Sequence, residues 1–272
     1  MSTLTTTAVV VPRGRVTQVR VLTSEWIKLR TLRSTYITLL VAIVAMIGFG
    51  MLICWATESH WATMPPPEKA HFEAASRSLA GYRIAQLAVG VLGVMVVTGE
   101  YSTGMIRATL SAVPRRLPVL WAKAAVFAAV TVVLMAIASV VAFYAGQAVL
   151  SAQHIQVSLT APGVTRIVLG TALYLTVVGL LGVGLGAVVR STPGGIASVF
   201  GVLLVLPALA EALPSSWADH VNQYLPSNAG ESLLTLHTEA HQLTPWTGFL
   251  VFALYAVAAL VAGAVVLKRR DA

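Results

Sequence analysis

Between Arg33 and Glu58 the chain reads STYITLLVAIVAMIGFGMLICWAT, residues 34–57, which is 24 positions without a charged side chain. A helix rises about 1.5 Å per residue and a bilayer's hydrocarbon core is about 30 Å thick, so about 20 apolar residues are enough to cross it. This stretch reads as a membrane-spanning helix. The pattern recurs along the chain: 23 uncharged positions separate Arg166 from Arg190, and 28 separate Glu239 from Lys268, with Pro245 placed to open the last helix. The 42 positions between Lys123 and Arg166 fit one long helix ending near Gln147, followed by the polar loop SAQHIQVSLTAPG.

Two intervals are shorter. Arg83 and Glu100 enclose 16 uncharged residues, about 24 Å of helix, so one of these charges is expected below the headgroups or snorkelling. After Ser191-Thr192-Pro193-Gly194-Gly195 only 15 residues precede Glu211, and Pro207 interrupts them; a kinked or incomplete span is expected there. The chain is therefore expected to be an all-α membrane protein with six transmembrane helices, near 35–56, 82–99, 119–147, 164–189, 195–212 and 246–267.

Composition supports the same reading. Of the 272 residues 57% are apolar and 10% charged, against about 45–50% and about 25% in soluble domains, which excludes a water-soluble globule. A net charge of +8 would suggest nucleic acid in a soluble chain, but here position decides. The N-terminal segment, second and fourth loops and C-terminus carry 14 of the 18 basic residues, with only Glu25, Glu100 and Asp271 among the acids. By the positive-inside rule both termini are expected in the cytoplasm, and no nucleic-acid partner is needed to explain the charge. The first dozen residues lack the pattern of a secretory signal, so the first span is expected to direct its own insertion. The single cysteine, Cys54, cannot form an intrachain disulfide and reads as a small buried side chain.

Residues 1–15 read as a disordered cytoplasmic tail and 16–34 as an amphipathic helix, with residues 35–272 forming the transmembrane domain. Val19, Leu22, Trp26 and Leu29 recur at three- and four-residue spacing with Arg20, Lys28, Arg30 and Arg33 beside them, the pattern of a helix lying in the membrane interface; a plain basic flank is the alternative. In the second loop, Glu100 to Arg116, Ser102 or Thr103 can cap a short helix that Pro114 ends. Such a helix would present Met105, Ile106, Leu110 and Val113 beside Arg107, a mixed surface suited to docking a protein, while an ordinary basic loop is equally compatible with the composition.

Residues 24–35 (SEWIKLRTLRST), the Glu100–Arg116 run and LPSNAG at 225–230 together resemble the membrane subunits of ABC-2 type ATP-binding-cassette exporters, especially actinobacterial ones. The likeness covers nearly the whole chain in order and spacing. It implies that residues 16–34 form a connecting helix and that Glu25, Trp26, Lys28, Arg30 and Arg33 flank an ATPase subunit. By the same resemblance Glu100, Tyr101, Gly104, Met105, Arg107 and Leu110 belong to a cytoplasmic coupling helix that docks on that ATPase. Glu100 would pair with Arg107 or a basic group of the connecting helix, or remain a solvated interfacial carboxylate. Short extracellular re-entrant helices are implied before the last span, with Pro207 and Glu211 as a possible gate or a plain rim. Two ATPase copies and a second permease, identical or paralogous, would complete a complex in the cell membrane, with ATP and Mg held by the partner and no cofactor in this chain.

No phosphate-binding Gly-x-x-x-x-Gly-Lys-Ser/Thr loop occurs, so this chain is not expected to be an enzyme and no catalytic residue is assigned. By this layout spans one, three, four and six lack ionisable residues in their interiors, which disfavours a proton- or sodium-coupled carrier. A channel or a carrier without an ATPase remains the alternative, and an intramembrane hydrolase a more distant one. Gly179, Gly182 and Gly186 suit close helix packing. His237 and His241, four apart, could share a helix face, but without a third ligand no metal is expected.

Overall fold

The computed structural model describes residues 17–106, 117–212, 214, 221–237 and 242–270, apart from the side chains of Glu211 and Arg270. The described residues are helical and loop segments with no strand, and six helices are long and apolar enough to cross a membrane. The expected tail 1–15, Arg107 and Leu110 of the expected coupling helix, and His241 all lie outside the described residues.

The first helix, α1 (Gln18–Thr31), begins at Thr17, whose hydroxyl accepts the Arg20 amide N–H at 3.4 Å and so satisfies one of the free donors of the first turn. Leu32 then leaves the helical region with ψ at 116°, an elbow that turns the chain into α2 (Arg33–His60), the first span. Short helices α3 (Pro66–Ala70) and α4 (Ala74–Leu79) follow on the far side. Next come α5 (Tyr82–Ser102), α6 (Leu117–Leu150) and α7 (Val164–Val189). Helices α4 and α5 join in an apolar stretch from Ala74 to Ser102. The second span is thus longer than the 16-residue interval suggested, and Arg83 lies within it rather than at its border.

Pro207 deforms the fifth span as expected. Proline removes one backbone donor and crowds the carbonyl four residues earlier, and the chain answers with a π-helical turn at Gly201–Val205 between α8 (Thr192–Phe200) and α9 (Leu206–Glu211). The apolar stretch Thr192–Ala210 nevertheless reaches 19 residues. Two short turns, α10 (Pro226–Glu231) and a 3₁₀ turn at Ser232–Leu234, then pack against α7 and the last span, α11 (Pro245–Arg270). Arg166 fastens them by donating to the carbonyls of Leu233 at 2.9 Å and Thr235 at 2.8 Å.

Helix α7 is the hub: 72% of its apolar stretch is buried, against 28% for the first span and 22% for the fifth. It packs on α5, α6, α8 and α11. Small residues permit the closest of these approaches. A Cβ on Gly93 of α5 would strike the Gly179 carbonyl, and one on Gly182 would lie 2.5 Å from the Gly90 carbonyl oxygen. The packing role expected of Gly179, Gly182 and Gly186 is what the structure has, with Gly90 and Gly93 as their counterparts.

Candidate coupling site at the α1 end of spans two and three

Helical spacing places Glu25 and Lys28 on one face of α1, because residues three apart are neighbours on a helix surface. That face turns inward: Val21 packs with Val119 and Ala122 of α6, while Glu25 is only 3% exposed. The apolar stripe that marked α1 in the sequence faces the other way, leaving Val19, Leu22 and Trp26 exposed. For a helix in a membrane interface this is consistent, since the apolar face meets lipid and the inward face can be polar.

Glu100, in the last turn of α5, and Lys123, in the second turn of α6, complete the inward face. Lys28 Nζ donates to Glu25 Oε1 at 2.7 Å and to Glu100 Oε1 at 2.9 Å. Lys123 Nζ donates to Glu25 Oε2 at 2.6 Å and to Glu100 Oε1 at 2.8 Å. Each carboxylate thus meets both ammoniums and each ammonium both carboxylates, a closed ring of net charge zero drawn from three helices. Charges removed from water cost several kcal/mol each unless their attraction and hydrogen bonds offset the loss, and an alternating ring is an efficient way to do so. At Lys28 burial opposes the charged form, but hydrogen bonds and attraction from Glu25 and Glu100 outweigh it and hold the pKa above its ordinary value. Glu100 Oε2, also buried, has no hydrogen-bond partner among the described residues. A cavity of about 320 Å³ lies beside the ring, walled by Leu29, Leu32, Met95, Met105 and Val126.

Of the sequence-nominated residues, Glu25, Lys28 and Glu100 therefore come together, and Trp26, Arg30 and Arg33 point outward. The solvated-carboxylate reading of Glu100 is corrected: it is 7% exposed and paired. Tyr101 is half-buried beneath the Arg190 guanidinium, 5.3 Å from its ring centre, and Arg190 also donates to the Val266 carbonyl at 3.0 Å, tying α5, α7 and α11 together at this end. Gly104 has φ of +72°, and among the described residues nothing lies within 4 Å of where its side chain would begin; this is the left-handed conformation that ends helices and favours glycine. Met105 beyond it is exposed. Pro207 is half-buried beside the π-helical turn, and the Glu211 side chain lies outside the described residues.

Lys123 is the member that sequence reasoning missed. Counted as a loop charge, it sits six residues into the helix of span three and is 6% exposed, which corrects the expectation that this span holds no buried ionisable group. A lone lysine inside the first turns of an otherwise apolar helix was the available signal.

At the far end of the same helices lies a second polar cluster. The Tyr174 hydroxyl donates to Gln86 Oε1 at 2.6 Å, and a cavity of about 630 Å³ opens nearby between Phe49, Tyr82, Arg83, Thr171 and Glu231. Burial pushes the Glu231 carboxyl above its ordinary pKa, with Arg83 and the Tyr82 hydroxyl opposing that shift.

Six apolar helices around a glycine-packed hub, with a further helix clamped to one end, define a multi-pass membrane protein. Residues 21–210 match the family described as ABC-2 family transporter protein, and the chain belongs to that family, a membrane component of transporters. No curated protein matches the chain.

Proposed function

We propose that this chain is the permease subunit of an ABC-2 exporter, lining the substrate pathway while a separate ATPase subunit supplies the energy. The reading is supported above all by the ion ring, which clamps α1 to the ends of α5 and α6 beside the exposed turn at Gly104 and Met105. A helix seated on these ends carries displacement into two spans together, because paired buried charges resist separation. In this reading the α1 end faces the cytoplasm, as the basic surplus there favours. The ATPase docks on residues 100–110, at the end of α5 that α1 is clamped to. The ring residues Glu25 and Lys28 then act behind that surface, as positioning residues.

Two permease copies, or this chain with a paralogue, would enclose one pathway, served by two ATPase copies. The turns at α10 and Ser232–Leu234 would cap it on the outside as re-entrant helices, with Pro207 and Glu211 at the rim. An amphipathic or hydrophobic solute suits a pathway between helices this apolar.

The test is charge reversal at Arg107 combined with Gly104→Pro. Substrate-stimulated ATPase activity of the purified complex should be lost while the permease still inserts and co-purifies in normal amount. Unchanged stimulation would remove residues 100–110 from the docking surface. Solute movement by the chain reconstituted without any ATPase would favour a channel or carrier instead.

A further inference from the structure

On the lipid-facing side of the elbow, α1, α2 and α6 leave an apolar groove of about 530 Å³, walled by Tyr36, Leu40, Val133 and Leu134 and closed at one end by Trp26 and Arg30. Pockets that hold small molecules run from about 300 to 1,000 Å³, so the groove has room for a ligand segment. From Arg30 it descends along α2 as far as Ile43, about 15 Å beyond Arg33 at the helical rise, well into the hydrocarbon layer. Trp26 and Tyr36 stand at its mouth, residues that favour the headgroup level. The Tyr36 hydroxyl donates to the Arg30 carbonyl at 2.5 Å and so fixes the elbow.

Charge decides the occupant. The single acid of α1, Glu25, spends both oxygens on Lys28 and Lys123. Arg30 has no carboxylate partner among the described residues, and exposed Arg33 follows across the elbow. The mouth is thus cationic and the depth apolar. We infer that the groove is a binding site for an anionic phospholipid of the α1-side leaflet, one acyl chain lying between α2 and α6 and the phosphate-bearing headgroup held by Arg30 and Arg33. Anionic headgroups attract juxtamembrane basic residues with about 1 kcal/mol each, roughly fivefold in occupancy per residue.

The purified chain in phosphatidylcholine vesicles, carrying a minor fraction of lipid with brominated acyl chains, tests this directly. Trp26 is one of six tryptophans, and subtraction of a Trp26→Phe variant isolates its emission. Brominated phosphatidylglycerol should quench Trp26 about fivefold or more effectively than brominated phosphatidylcholine at equal fraction. Arg30→Gln with Arg33→Gln should level the two, and Ala129→Phe, which fills the groove, should lower quenching by both. Equal quenching by the two lipids in the unaltered chain would overturn the site. So would a preference that survives loss of both arginines, or a Trp26 shielded from either lipid by a second copy. The assay offers lipid in both leaflets and uses no ATPase, so its failure would leave the docking proposal standing.

Discussion

The two ends of α5 solve the same problem with different chemistry. At the α1 end, Glu100 is buried against two lysines and shares them with Glu25, so three helices are joined by full charges at 2.6–2.9 Å. At the far end the joint between α5 and α7 is neutral, a phenol on an amide at 2.6 Å, with Glu231 nearby pushed by burial toward its protonated form. Charged pairs in low dielectric are costly to part, whereas a neutral hydrogen bond contributes only about 1 kcal/mol net and exchanges readily. The joint at the α1 end therefore resists separation more than the joint at the far end.

The largest effect should come from breaking the ring at Lys123. Lys123→Met leaves two buried carboxylates with one ammonium, and removing one partner of a buried pair costs about 3–5 kcal/mol. It should appear as a marked fall in the thermal midpoint in detergent. Lys28→Met should cost less, because the Lys28 side chain is 24% exposed against 7% for Lys123, so water relieves part of the imbalance. Glu25→Gln combined with Lys123→Met removes a whole pair and leaves Lys28 with Glu100; the double variant should be less damaged than the sum of its singles. If Lys28→Met proves the worse of the two lysine variants, the ring does not have its anchor in α6 and the contrast between the ends weakens.

A smaller effect is expected at the neutral joint. Tyr174→Phe strips the donor from Gln86 Oε1 in a buried site, leaving an unsatisfied acceptor at about 1–3 kcal/mol. Adding Gln86→Leu removes the orphan as well and should restore much of the loss. The same melting series reads both ends, and a Tyr174→Phe penalty matching that of Lys123→Met would erase the distinction between them.

The spans were legible because a bilayer demands long uncharged runs, a constraint that leaves its trace in one dimension. Five of the six fell where the charges placed them, and the Pro207 kink followed from a missing donor. Where the reading failed, the deciding fact was lateral. Span two extends back through α4, and at the junction Gly81 packs directly on the Met46 carbonyl of α2, a contact with no local signature. Lys123 looked like a loop charge because its partners lie 98 and 23 residues away. Nor could the apolar stripe of α1 reveal which face is buried: in lipid the exposed face is the apolar one, and the inward face at Glu25 and Lys28 carries the charge.

The smallest expected effect, and the most diagnostic, is the response to pH. A carboxyl that holds its proton more tightly when folded, as Glu231 does, adds stability that is complete below the ordinary carboxylate value of 4.5 and lost as pH rises through the folded value. Lys28, raised from 10.5, adds stability that is complete below that value and lost only as pH rises through the folded one, on the alkaline limb. The two ends should therefore respond in separate windows. Replacing Glu231 with Gln should shift the melting difference from the unaltered chain in favour of the variant as the buffer is taken from about pH 4 to about pH 7, because the unfolded chain gives up this proton more readily than the buried carboxyl does. In the unaltered chain Lys28 stays charged throughout that window. A Glu231→Gln difference that is flat between those pH values would mean the carboxyl ionises as freely folded as unfolded, and the far end would then hold a full charge like the ring it is set against.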